Sequence, residues 1–216
     1  IHCIYHGIDL SLFNSSKKKN RATPPYRLLT VARMTEKKGL PTLYRALRIL
    51  MEKEIPFQHI LIGDGDDREK IVQLIADLRL EDNCTCLGTQ THTQVLNQFD
   101  RSHLFVLSCE VASSGDRDGI PNVIVESLAM GVPVVSTNVS ALPEIVIDGT
   151  TGRSVEPCRH DQLADAMLQL LENSEIRKTV IENGRELVHR SFDNKKLVAG
   201  LADIFKKSCP ALQLHN

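Results

Sequence analysis

Short apolar runs separated by segments of helical spacing constrain this 216-residue chain more than any other feature. Arg27-Leu-Leu-Thr-Val-Ala32, Phe57–Ile62, Leu104-Phe-Val-Leu107 and Val132-Pro-Val-Val-Ser136 are each too short for a helix and too uniformly apolar for a strand with one wet face. Shorter strands are expected at Ile1–Tyr5, 84–87 and 153–155. Between them, apolar positions recur at three- and four-residue intervals, as in Leu43, Ala46, Leu47 and Leu50. The pattern predicts helices over about 40–53, 67–79, 91–99, 121–131, 142–147, 160–172, 174–190 and 194–207. Strands alternating with helices and buried on both faces define an α/β fold, a doubly wound parallel sheet with helices on each side. In such sheets ligands bind beyond the carboxyl ends of the strands. That edge carries the loops 33–39, 63–65, 88–91, 108–121 and 137–141.

The most informative of these loops leads into Asp118-Gly-Ile-Pro-Asn-Val-Ile-Val-Glu126-Ser-Leu-Ala-Met130. Pro121 suits the first helical position, and Gly131 suits the stop. Glu126 is the only charged residue between Gly119 and Thr137, so it must be partnered or face a cleft. Charge pattern alone suggests a general acid–base pair of Asp118 and Glu126. Arg33 and Lys38 follow the strand at 27–32 at the same edge. Near a helix N-terminus two such cations form an anion site suited to a diphosphate; the alternative is two solvent-facing loop charges.

Other chemistries find little support. Gly63-x-Gly65 lacks the third glycine of a dinucleotide fingerprint, because Arg68 stands in its place, and reads as a tight strand-to-helix turn. The chain has no nucleophile elbow, no P-loop and no histidine pair at ligand spacing. The eight histidines read as surface or capping residues, His103 being the one candidate for the core, and Glu144 reads as a first-turn helix acid. Net charge is −1 and Trp is absent, which argues against a nucleic-acid partner. No apolar run reaches the ~18 residues of a membrane span, and no signal peptide is visible. Cys3, Cys84, Cys86, Cys109, Cys158 and Cys209 read as reduced structural thiols in a cytoplasmic protein, with Cys84 and Cys86 on one face of a strand. Opening on Ile1 without methionine, the sequence reads as a piece of something longer.

Several segments together resemble one family. Val31-Ala-Arg33 through Lys37-Lys38-Gly39, Ile62-Gly-Asp-Gly65 and Leu87-Gly88 are similar to the nucleotide-sugar-binding half of retaining GT-B glycosyltransferases of the group 1, or family 4, type. Asp118 to Glu126 matches their acid-x7-acid signature. Gly131-Val-Pro-Val-Val-Ser, Leu142-Pro-Glu-Ile-Val and Gly149-Thr-Thr-Gly152 follow in the family's order. The match runs from His6-Gly-Ile-Asp9 to about residue 190. The wording around Asp118-Gly-Ile-Pro is closest to enzymes of bacterial polysaccharides such as colanic acid.

The resemblance implies a Rossmann-like domain, one half of a GT-B fold, spanning 1–216. Within it, 1–15 would be an interdomain segment and 191–216 a C-terminal helix crossing to a missing N-terminal domain. The donor would be a UDP- or GDP-sugar, with no cofactor and no metal. The acceptor, a saccharide or a lipid-linked one, would reach the site through the missing domain. The full-length protein would act in the cytoplasm, with a peripheral membrane location open to it. By the same resemblance, Arg33, Lys38 and Asp118 are the catalytic candidates. Arg33 and Lys38 would grip the diphosphate, and Asp118 would take sugar hydroxyls. Glu126 would hold the ribose from a helix that leaves it no charged neighbour. Asn122 and Val123 would offer backbone N–H groups, and the base would lie against Gly88, Thr89 and Gln90. Gly119 and Ile120 complete the donor loop. Two departures stand out: Asp118 occupies a position often held by Glu, and Pro121 one often held by glycine, which moves phosphate donation to Asn122 and Val123. On this reading Asp118 and Glu126 form a donor clamp, and the domain alone binds but hardly turns over. A nucleotide-sugar 2-epimerase-like domain and a non-catalytic sugar-nucleotide-binding module are the competing readings.

Overall fold

A computed structural model describes residues 4–13 and 22–208. Six strands, β1 (Tyr26–Val31), β2 (Phe57–Ile62), β3 (Cys84–Cys86), β4 (Leu104–Leu107), β5 (Val134–Thr137) and β6 (Arg153–Val155), form one parallel sheet in the order β3-β2-β1-β4-β5-β6. Seven α-helices accompany them among the described residues: α1 (Leu40–Glu52), α2 (Arg68–Asp77), α3 (His92–Arg101), α4 (Asn122–Ala129), α5 (His160–Glu172), α6 (Ser174–Ser191) and α7 (Asn194–Ser208).

Period-two alternation sorts each strand between two cores. Leu28, Leu104, Val106 and Val135 join α1, α2 and α5 on one face. Leu29, Phe105, Leu107 and Val134 join α3 and α4 on the other. Every one of these eight side chains is fully buried, which is why the runs lack the alternation of a half-wet strand. The strand order reverses between β1 and β4, which pair in register at Leu28–Leu104 and Leu29–Phe105. Chain leaving β1 and chain leaving β4 diverge at that point and open a crevice at the carboxyl edge.

The expected elements are found, with local corrections. Pro121 flanks α4 in an extended conformation (φ −65°, ψ 128°) instead of opening it, and its carbonyl accepts from Ile124 N–H. Residues 142–147 hold only one 3₁₀ turn, Leu142–Glu144. β5 starts two residues later than expected, because Pro133 has no N–H to give the ladder. No strand runs through Ile4–Tyr5; instead Ile8 makes an isolated bridge to Asp193. Residues 1–3 of that expected strand, Cys3, most of the polar loop at 15–25, Cys209 and the chain beyond 208 lie outside the described residues. Of the histidines among the described residues, His59 rather than His103 is the fully buried one. It faces Tyr44 in the middle of the sheet and sits 3.1 Å from Thr30 Oγ1, and burial drives its pKa down to about 3. His103 is half-buried, and its Nδ1 accepts from Arg27 N–H.

Val198, Leu201 and Phe205 of α7 are exposed at i, i+3 and i+7, a single apolar stripe turned to solvent. No helix among the described residues is long and apolar enough to cross a membrane.

Candidate functional site

The crevice at the strand reversal is a cleft of about 610 Å³. Its floor is the end of β1 and β2 (Val31, Ala32, Ile62), and its walls come from four loops and two helix starts. Arg33, Lys38, Thr89, Gln90, Asp118, Asn122 and Val123 all line it, so seven of the eleven residues singled out from sequence converge here. Gly88, Gly119, Ile120 and Glu126 do not line it. Gly88 is instead a backbone tie, its carbonyl accepting from Gly63 N–H at 2.9 Å. Glu126 lies one turn along α4 from Asn122 and Val123, on the same helical face.

Each candidate side chain has a local structural cause. After β1 the chain makes a 3₁₀ turn at Glu36–Lys38 and closes it with Gly39 at φ +57°, which starts α1. A Cβ on Gly39 would stand 1.9 Å from the Ser108 carbonyl oxygen, so only glycine lets this turn approach the end of β4. The approach aims Lys38 at the loop after β4. Glu36 accepts from Ser113 N–H and Oγ at 2.8 and 3.0 Å, and Lys37 N–H-bearing Nζ lies 3.0 Å from Asp116. The two loops are thereby stitched together around Asp118.

Asp118 is the hub of the site. Lys38 Nζ donates to its Oδ2 at 2.6 Å, and Lys37 Nζ stands 3.6 Å from its Oδ1. The fully buried Cys109 thiol donates to Oδ2 at 3.5 Å from beneath. The alternative of two solvent-facing loop charges fails for Lys38, which is buried, while Arg33 is exposed and makes no salt bridge among the described residues. Asp118 is clasped between two cations in an otherwise polar loop, its side chain 17 % exposed. Both carboxylate oxygens are thus already engaged by ammonium groups.

Glu126 differs from expectation in having a charge partner. His92 Nε2, at the first position of α3, lies 3.5 Å from Glu126 Oε1. Burial raises the Glu126 pKa, and the neighbouring imidazole counters part of that rise. Sequence reasoning missed both His92 and Lys37. His92 had a visible signal, because it follows the Thr91 N-cap in a loop already assigned to the binding edge. Lys37 had none beyond its neighbour.

Among the described residues no group of three His, Cys, Asp or Glu side chains is gathered as metal ligands would be. Burial pushes the Cys109 thiol up to about 12, so thiolate is scarce at neutral pH. In the native protein an alkylating reagent is expected to label exposed Cys158 at least on the order of a hundredfold faster than Cys109. Peptide mapping by mass spectrometry after timed labelling checks this, and early modification of Cys109 would mean that the floor beneath Asp118 is open.

The family model described as Glycosyl transferases group 1 matches residues 13–187. An amylovoran biosynthesis glycosyltransferase of Erwinia amylovora is 32% identical over 93% of this chain and 49% of its own length. A putative colanic acid biosynthesis glycosyltransferase of Escherichia coli K12 is 32% identical over the same shares. The chain thus spans about half the length of the curated relatives it matches. An Anabaena protein solved in complex with UDP-glucose superposes with a TM-score of 0.82 at 22% identity, over 94% of this chain and 57% of that one, which is a likeness of fold.

Proposed function

This chain belongs to the group 1 glycosyl transferases, and we propose that its cleft binds the diphosphate and sugar of a nucleotide-sugar donor for retaining transfer in polysaccharide biosynthesis. The observation that carries the reading is the convergence of Arg33, Lys38, Asp118 and the N-terminus of α4 on one cleft at the strand reversal. The first N–H groups of a helix have no intrahelical acceptor and carry partial positive charge, so Asn122 and Val123 offer donors to a phosphate. Arg33 supplies a fork matched to phosphate oxygens, and Lys38 a point charge.

In this reading the bond between the anomeric carbon and the terminal phosphate oxygen breaks with both electrons going to that oxygen. Negative charge therefore grows on the phosphate in the transition state. Arg33, Lys38 and the α4 N–H groups stand where that charge develops, and fixed donors of this kind lower a barrier more than mobile water does. The departing phosphate oxygen takes the acceptor hydroxyl proton, and the new glycosidic bond forms on the same face. Asp118 accepts from donor-sugar hydroxyls, and Glu126 from ribose hydroxyls. The acceptor side would come from a second domain, so residues 4–208 alone are proposed to bind donor with little turnover.

Titration calorimetry with UDP, GDP and ADP tests the reading and identifies the base; absence of detectable binding to all three would sink it. Asp118→Asn separates diphosphate from sugar. With one negative charge gone beside Lys37 and Lys38, UDP or GDP is expected to bind about threefold more tightly. The added affinity of the corresponding nucleotide sugar over the bare nucleotide should vanish, because a carboxylate acceptor is lost. A variant that weakens both ligands equally would show that Asp118 serves only to place Lys38.

A further inference from the structure

Two observations meet at Glu126. Its side chain is only 14 % exposed, and a single ionisable group, His92, stands against it at 3.5 Å. The imidazole is itself held on both sides. Thr91 N–H donates to Gln94 Oε1 at 2.9 Å and Gln94 N–H returns to Thr91 Oγ1, a capping box that fixes where α3 begins and hence where His92 stands. On the other flank the buried Phe13 ring meets the imidazole edge-on, centroids 5.9 Å apart. Neither member lines the cleft itself, but each stands one turn along its helix from residues that do: His92 is one turn before Val95, and Glu126 one turn after Asn122 and Val123.

We propose that His92 is a positioning residue for the ribose contact: from its place between Phe13 and α4 it holds one oxygen of the Glu126 carboxylate, so that the group stays ionised and turned to accept from ribose hydroxyls. The proposal rests on the nucleotide-sugar reading of the cleft. Its physical basis is that a carboxylate in an apolar helix has two ways to lower its free energy, protonation or pairing. Protonation would weaken it as an acceptor, since hydrogen bonds to a charged group are roughly twice as strong as neutral ones. Other ionisable groups on the packed elements turn elsewhere. Asp9, ahead of Phe13, accepts from Ser11 N–H and Oγ at 3.0 and 2.6 Å. Arg185 of α6 reaches the Met130 carbonyl, past the end of α4, and Asp100 and Arg101 lie at the far end of α3. Burial and His92 are the opposing influences on Glu126.

The sign of the pH effect follows. Removing the imidazole leaves burial alone, which favours the protonated carboxyl, so Glu126 takes up its proton at higher pH in His92→Ala than in the parent.

The experiment measures Kd for UDP and GDP and for their 2′-deoxy counterparts at pH 8 and pH 6, in the parent, His92→Ala, His92→Gln and Glu126→Gln. For whichever base binds, the parent is expected to prefer the ribonucleotide at both pH values. In His92→Ala that preference should shrink by about threefold to fivefold, the scale of a half-exposed polar pair, and shrink further at pH 6. His92→Gln, which keeps a donor at this place, should recover most of the preference at pH 8. Glu126→Gln should abolish it with no pH dependence. A general loosening of α3 would weaken both nucleotides alike and leave their ratio untouched, and that result overturns the proposal, as does a parental ratio in His92→Ala at both pH values. If Arg33→Ala weakens UDP while His92→Ala keeps the parental ratio, the positioning role alone fails. If no nucleotide binds the parent, the donor reading fails and takes this role with it.

Discussion

Replacing Arg33 by alanine is expected to weaken UDP or GDP binding about 10- to 100-fold while leaving the melting temperature unchanged. Arg33 is exposed in the wall of the cleft and makes no salt bridge among the described residues, so its removal orphans no buried partner. A hydrogen bond to a charged group contributes roughly 1.5–3 kcal/mol, which is the source of the expected factor. Lys38→Ala is a less clean test. Lys38 is buried and donates to Asp118 at 2.6 Å, so its loss leaves a carboxylate with only Lys37 nearby, and stability and affinity would fall together. Two controls sharpen the Arg33 result. Uridine or guanosine, lacking phosphate, should bind the variant and the parent equally weakly. Arg33→Lys should fall between alanine and parent, because an ammonium keeps the charge and loses the planar fork. Calorimetry at two salt concentrations completes the test: the loss should be larger at low ionic strength, where an exposed cation acts over a longer distance. Equal affinity of Arg33→Ala and parent would place the diphosphate elsewhere.

The same residue shows where sequence reading worked and where it stopped. The sheet was legible because Leu28, Leu29, Leu104, Phe105, Val134 and Val135 are buried on both faces, and such runs alternating with helical segments fit a parallel sheet covered on each side. Loop positions followed from topology, since a loop after a parallel strand has one edge to occupy. Side-chain pairing did not follow. Whether Lys38 faced solvent or Asp118 depended on Gly39 bringing the turn against Ser108, a contact across 69 residues that no local pattern encodes. Glu126 read as having no charged neighbour for the same reason. His92 lies 34 positions earlier on a different helix, and periodicity within α4 carries no information about α3. Pro121 was misplaced by one position because the rule for proline at helix starts is indifferent to which residue has helical ψ. With ψ 128° it stands outside α4, so the helix's first N–H groups belong to Asn122 and Val123, and the phosphate end of the proposed site gains from the shift.

Gly63→Ala is expected to lower stability by at least about 3 kcal/mol and to abolish measurable nucleotide binding with it. Gly63 stands at φ +132°, where side chains are strained, and a Cβ there would lie 1.9 Å from the Ala32 carbonyl oxygen. That overlap is with backbone, so no rotamer change relieves it. The glycine permits the chain leaving β2 to run against the chain leaving β1: Ala32 N–H donates to Ile62 O at 2.9 Å, Met34 N–H to Asp64 O at 3.0 Å, and Gly63 N–H to Gly88 O at 2.9 Å. These three bonds prolong the sheet past its formal end and seat the loop that carries Arg33 and Lys38. An added methyl group pushes the loops at 33–39 and 63–65 apart, so the cations lose their relation to Asp118 and α4. For a chain of this size about 3 kcal/mol corresponds to a drop of roughly 6–12 °C in melting temperature. Gly115→Ala is the comparison that isolates the cause. Gly115 also has positive φ, +81°, but nothing lies within 4 Å of its Cβ position, so it should show only the conformational cost of about 1–2 kcal/mol and keep its nucleotide affinity. Thermal unfolding and calorimetry on both variants decide the matter. If Gly63→Ala melts no lower than Gly115→Ala, close backbone approach is not what the first glycine of Gly63-Asp-Gly65 provides. If it melts lower, this glycine serves to place Arg33 and Lys38 rather than to touch a phosphate itself.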